Sequence, residues 1–144
     1  MHNETILKFG YPQSLIKEYP QWVVLLRPQQ VTAGALILAA QGEPTSLSQL
    51  DRDTFCELSR VTRDIEKVLV KLFNYDKINY LALMMVDKHV HFHVIPRYAS
   101  AREVCGIAFA DSGWPKQPAL SDVHELTDSQ FSDLVELIKA NWPG

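Results

Sequence analysis

The chain has little that would staple or anchor it from outside. Only two of its 144 residues are cysteine. Cys56 and Cys105 stand far apart, which excludes a disulfide framework and any paired-cysteine zinc pattern. The longest apolar runs, residues 22–26 and 33–40, fall far short of the ~20 residues that span a bilayer. The opening Met1-His2-Asn3-Glu4-Thr5 lacks the basic stretch and apolar run of a secretory signal, so a cytoplasmic protein with free thiols and no membrane partner is expected. Basic charge is not in excess either. Fourteen Lys+Arg against seventeen Asp+Glu leave a net −3, which argues against duplex nucleic acid as a partner, since that affinity comes from neutralising phosphates. Repeats, low-complexity tracts and Gly/Ser/Pro linkers are missing, and residues 1–144 read as one domain.

What is present is a globular pattern. Residues 22–26 and 36–38 are short buried strands bounded by Pro20, Pro28, Gly42 and Pro44. Between residues 50 and 73, Phe55, Leu58, Val61, Ile65, Val68, Leu69 and Leu72 recur at steps of three and four. This spacing predicts one long amphipathic helix lying on a sheet, with Asn74 as its stop. Residues 78–86 and 89–95 predict two more strands, separated by Asp87-Lys88 in a tight hairpin. Thr127 or Asp128 caps a C-terminal helix that carries Phe131, Leu134, Val135, Leu137 and Ile138 and ends before Pro143. The fold class is α+β with a mainly antiparallel sheet.

The chemistry concentrates in His89-Val90-His91-Phe92-His93-Val94-Ile95-Pro96-Arg97. On a strand, His89, His91 and His93 share one face and Val90, Phe92 and Val94 the other. Neighbouring imidazoles then lie ~6.6 Å apart at Cα, close enough to share one small ligand. Clustered imidazoles repel one another's protons, a cost that packing alone does not call for. Two chemistries use such a face. One is a three-histidine zinc site. The other is attack by an imidazole on phosphorus, for which the central His91 is the nucleophile.

The alternation of histidine and apolar residues over 89–95 resembles the signature of the histidine triad (HIT) superfamily at all seven positions. Residues 88–97 look most like the fragile-histidine-triad, dinucleoside-polyphosphate hydrolase branch. The resemblance implies a HIT-like α+β fold: a five-stranded, mainly antiparallel sheet with one long helix and a C-terminal helix, paired into a homodimer by joining two sheets. It implies a small-molecule nucleotide substrate with its α-phosphate against the triad. His91 would form a nucleotidyl-histidine that water then hydrolyses, while His89 and His93 orient the site and help the leaving group depart. Neither metal nor other cofactor is implied. The chain departs from the family pattern in three places. Ala35 stands where an upstream histidine often partners the last triad histidine, and Arg27 where Asp or Asn often holds the ribose. The segment 84–88 has no Gln near the leaving phosphate.

Arg27, Lys88 and Arg97 are further candidates for nucleotide or phosphate binding, each weighed against a structural or solvated charge. Trp114 and Trp142 are candidates to stack on a nucleotide base, weighed against simple packing, and Cys105 reads as packing. His2 and His124 read as isolated and exposed, and residues 111–118 as a surface loop. Two alternatives stay open: a catalytically weak nucleotide sensor, motivated by Ala35 and Arg27, and a zinc hydrolase.

Overall fold

In the computed structural model, which describes residues 2–144, five antiparallel strands form the main sheet. They are β1 (Leu15–Glu18), β2 (Trp22–Leu26), β3 (Leu36–Ala40), β4 (Lys77–Leu81) and β5 (His91–Arg97), in the spatial order β1-β2-β3-β5-β4. Helix α1 (Glu4–Lys8) precedes the sheet, α2 (Arg52–Phe73) joins β3 to β4, and α3 (Asp128–Ala140) follows a small hairpin of β6 (Arg102–Val104) and β7 (Ile107–Phe109). The α+β class and the five antiparallel strands match the sequence expectation.

The two faces of the sheet differ in what covers them. Val24, Leu26, Leu36, Leu38, Val90 and Val94 pack with Val61, Ile65, Val68 and Leu69 of α2 and with Leu134 and Ile138 of α3. Val23, Leu25, Ile37 and Ala39 on the other face pack under Ile6 and Phe9 of the N-terminal segment. Every residue of β2 and β3 is buried, as strands covered on both sides must be.

Helix α2 is one-sided, with its buried residues at the predicted spacing. It starts where the Asp51 carboxylate accepts from the Thr54 amide at 2.9 Å. It stops where Asn74 turns left-handed at φ 48°, a conformation Asn tolerates better than most residues. A capping box on Thr127 and Gln130 opens α3. Gly34, at φ +83°, is required where it stands. A Cβ there would come within 2.7 Å of the Phe73 ring, so the turn into β3 lies directly on the end of α2.

Two expectations are corrected. The strand expected over 78–86 ends at Leu81, and residues 82–90 form a nine-residue loop in place of a tight hairpin. Met84 adopts φ 43° within it, which breaks the extended chain, and Leu83, Met85 and Val86 are exposed. Residues 111–118 form the surface loop expected, exposed at Ser112, Pro115, Lys116 and Gln117, with one buried anchor. The Asp111 carboxylate, almost completely buried, clamps Arg97 through Nε at 2.6 Å and Nη2 at 3.1 Å.

Candidate functional site

Strand β5 places His91 and His93 on the sheet face away from α2, with ring centroids 5.1 Å apart. Their partners across the ladder are Ala39 and Ile37 on β3, and Leu81 of β4 flanks His93. His89 lies two residues before the strand, in the bend that ends the loop.

The hydrogen bonds define the protons. His91 Nδ1 sits 2.7 Å from the His89 carbonyl oxygen. A carbonyl only accepts, so Nδ1 carries the hydrogen and the Nε2 lone pair of the neutral ring is left free. His93 is held the opposite way round. Its Nδ1 accepts from Arg27 Nε at 3.3 Å, and a guanidinium can only donate, so the proton of neutral His93 is on Nε2. Burial, then the Arg27 charge, then His91 push the His93 pKa down to about 4, against a weaker upward pull from Asp87.

His89 is anchored rather than presented. Its Nε2 meets Glu43 Oε1 at 3.0 Å and its Nδ1 meets Thr5 Oγ1 at 2.9 Å. In the neutral ring, Nε2–H donates to the carboxylate and the Thr5 hydroxyl donates to Nδ1. The Thr5 hydroxyl also accepts from the His89 amide at 3.3 Å.

The open imidazole face expected from sequence is therefore corrected. The three histidines are 3%, 1% and 7% exposed in chain order. The covering group is Phe9, whose ring centroid is 5.4 Å from His91 and 5.9 Å from His93. Yet no buried side-chain nitrogen or oxygen among the described residues lacks a hydrogen-bond partner. The Nε2 atoms of His91 and His93 have none, so they lie at the solvent boundary and not in a sealed interior.

The three cationic candidates part company. Arg27 reaches the triad. Its Nη1 also donates to the Gln29 carbonyl at 2.5 Å, and burial lowers its pKa. Lys88 is exposed on the lip of a cleft of about 300 Å³ formed with Glu4, Thr5, Lys8, Val86, Asp87 and His89. Arg97 is committed to Asp111 and, through Nη1, to Asn79 Oδ1 at 2.8 Å. It also lies against a separate cleft of about 580 Å³ with Lys77 and Trp114.

Trp142 packs and donates to the Tyr19 hydroxyl at 2.8 Å. Burial raises the Cys105 pKa, with a further push from Asp133. His124 is not isolated. It bonds to the Gln30 carbonyl and accepts from the Ala110 amide, tying the C-terminal segment to the turn before β3. His2 pairs with Glu18 at 3.0 Å. Among the described residues no group of three His, Cys, Asp or Glu is arranged to hold a metal ion. The imidazoles themselves do not converge, since His89 and His91 spend nitrogens on Thr5, Glu43 and a carbonyl.

Sequence reasoning missed Phe9, Thr5 and Glu43, and it missed the bond from Arg27 to His93. Helix α1 is too short for periodicity to reveal, and its only signal is Asn3, whose side chain accepts from the Ile6 amide at 3.0 Å.

A strand carrying paired imidazoles of opposite tautomer, on an antiparallel sheet backed by one long helix, defines a histidine-triad site. The HIT domain model matches residues 10–100, more than half of the chain, and the protein belongs to that family. Comparison with curated proteins returned no match. Among solved structures, a histidine triad protein from Sinorhizobium meliloti 1021 has a TM-score of 0.75 at 20% identity, over 98% of this chain and 96% of that one. One from Marinobacter aquaeolei VT8 has a TM-score of 0.70 at 20% identity, over 99% and 95%. The Plasmodium falciparum diadenosine triphosphate hydrolase, solved with cyclomarin A, has a TM-score of 0.66 at 14% identity, over 90% and 76%. These likenesses are of fold.

Proposed function

We propose that the protein is a nucleotidyl hydrolase or transferase that cleaves a nucleoside phosphate anhydride, ester or phosphoramidate at the α-phosphate. The observation that carries this reading is the 2.7 Å bond from His91 Nδ1–H to the His89 carbonyl, which leaves Nε2 as the free nucleophilic lone pair. Nε2 attacks the α-phosphorus, the bond to the leaving group breaks, and the leaving group departs with its electron pair and takes up a proton. Water then attacks the same phosphorus, the P–N bond breaks, and nucleoside monophosphate leaves while His91 regains its lone pair. His93 Nε2–H is the neighbouring donor for a phosphoryl or leaving oxygen. His89 supplies the carbonyl that fixes His91, with its own ring fastened by Thr5 and Glu43. Lys88 stands at the rim as a charge for a polyphosphate tail. Arg97, committed to Asp111, holds β5 to the following loop. The membership in the HIT family and the fold shared with a diadenosine triphosphate hydrolase support the class.

We read the working form as a homodimer. In support, β4 is an outermost strand of the sheet, with exposed Leu83, Met85 and Val86 in the loop beyond it.

The test of the chemistry is His91→Gly and His91→Ala assayed on adenosine phosphoramidate and on dinucleoside polyphosphates. Turnover should fall at least ~1,000-fold, as for loss of a covalent nucleophile. Parent enzyme quenched in alkaline denaturant should carry labelled nucleotide on a P–N bond that survives base and is lost in acid. Unchanged turnover in either variant removes His91 as nucleophile, and micromolar nucleotide binding without release of monophosphate would make the protein a nucleotide sensor instead.

A further inference from the structure

The last triad histidine needs its Nδ1 occupied by a donor if its proton is to sit on Nε2, and the residue that supplies the donor comes from two strands away. Arg27 directly follows β2. Its amide donates to the Ala35 carbonyl at 3.0 Å, so the two residues face each other across the β2–β3 ladder, one row beyond Leu26 and Leu36. Ala35 in turn packs on Ile95 of β5. From β2 to β5, across β3, is about two strand spacings, or ~10 Å. An arginine side chain from position 27 to His93 crosses β3 on the diagonal between Ala35, its own cross-strand partner, and Ile37, the partner of His93. Ala35 is fully buried and ends at Cβ, and Arg27 Nε arrives 3.3 Å from His93 Nδ1. Both the long residue at 27 and the short one at 35 are needed for the contact.

We propose that Arg27 is the positioning residue for His93, reaching past Ala35 to lock the imidazole as a neutral Nε2–H donor aimed at the phosphate side of His91. This rests on the nucleotidyl-transfer reading above for what the donor is used for, but not for the tautomer itself. A guanidinium stays protonated at any pH the protein survives, so it cannot accept a proton from His93 as an imidazole could. His93 then acts by donating a hydrogen bond and does not accumulate as an imidazolium. The charged and titratable groups facing it are Arg27 from the end of β2, His91 on its own strand and Asp87 from the loop. The N-terminal segment presents the apolar Phe9 ring just past α1, and Lys8 of α1 pairs with Asp87 at 2.6 Å. Two of the three oppose protonation of His93. The assignment spends Nε and Nη1 on His93 and the Gln29 carbonyl and leaves only Nη2 of the guanidinium to meet a substrate.

The test reads the His93 ring directly, by ¹⁵N NMR of the free protein, with steady-state kinetics beside it. In the parent, His93 should be the Nε2–H tautomer and remain neutral through pH 5. Arg27→Met removes donor and charge, and should give mixed tautomers and a pKa raised towards the ordinary 6.5. Arg27→Gln keeps an N–H donor without the charge, and should preserve the tautomer while raising the pKa. Ala35→Val leaves Arg27 in the chain but blocks its path, and should reproduce Arg27→Met. In both blocked variants kcat should fall roughly 10- to 100-fold, the size of a mispositioned proton donor, with KM changed by less than about 3-fold. An Nδ1–H tautomer in the parent, or an unchanged His93 titration in Arg27→Met, overturns the proposal. So does a rise in KM at constant kcat, which would put Arg27 on the substrate. Full turnover in His91→Gly, by contrast, strikes only the nucleophile assignment, since the NMR result does not depend on it.

Discussion

The two histidines on β5 present opposite nitrogens because their partners differ in kind. A carbonyl behind His91 demands a proton, and a guanidinium behind His93 supplies one. The same environment makes His93 a source of pH dependence in stability. Its folded pKa, about 4, lies below the ordinary value of 6.5, so folding favours the neutral ring. The stabilisation is complete above pH 6.5 and is lost as pH falls from 6.5 towards 4, because the unfolded chain binds the extra proton in that window. Urea midpoints measured between pH 7 and 4 should drop more steeply in the parent than in His93→Gln. Parallel curves would mean that His93 titrates normally when folded. The alternation of histidine and apolar residues was enough to find the pair, since period two puts them on one face. The partner was hidden because Arg27 meets His93 only through the pairing of three strands, which no local window contains.

At the scale of elements, α1 is a five-residue helix fastened at its N-terminal turn. The Asn3 amide donates to the Ala40 and Gly42 carbonyls, and Thr5 holds His89. Phe9, just past the helix, covers the imidazoles and is 8% exposed. Phe9→Ala should cost about 3 kcal/mol in chemical denaturation, as a large-to-small change in a core does. It should also speed modification of His91 by an imidazole-directed acylating reagent. Unchanged modification kinetics would place the cover elsewhere. The long helix and its stop at Asn74 were readable, because 22 residues carry six turns of periodicity and Asn is a strong end signal. The short elements were not. α1, β1, β6 and β7 each span five residues or fewer, too few to establish a period. Residues 82–86 were mistaken for strand because Leu83, Met85 and Val86 look buried in sequence and are not.

For the whole molecule, the open side of β4 and the exposed apolar tip of the adjacent loop bear on assembly. Sedimentation equilibrium should give the mass of two chains of 16.4 kDa each. A single-chain mass at micromolar concentration would reject the dimer and leave that edge free. Among the described residues, no helix is long and apolar enough to cross a membrane. The amino-terminal segment has a practical bearing on how the protein is produced. Because residues 3–9 lie over the histidines, a purification handle fused ahead of residue 1 would tug on the clasp that closes over the reactive nitrogens. A handle on the glycine at the opposite end of the chain avoids this, and rates recorded with the two placements should not be pooled.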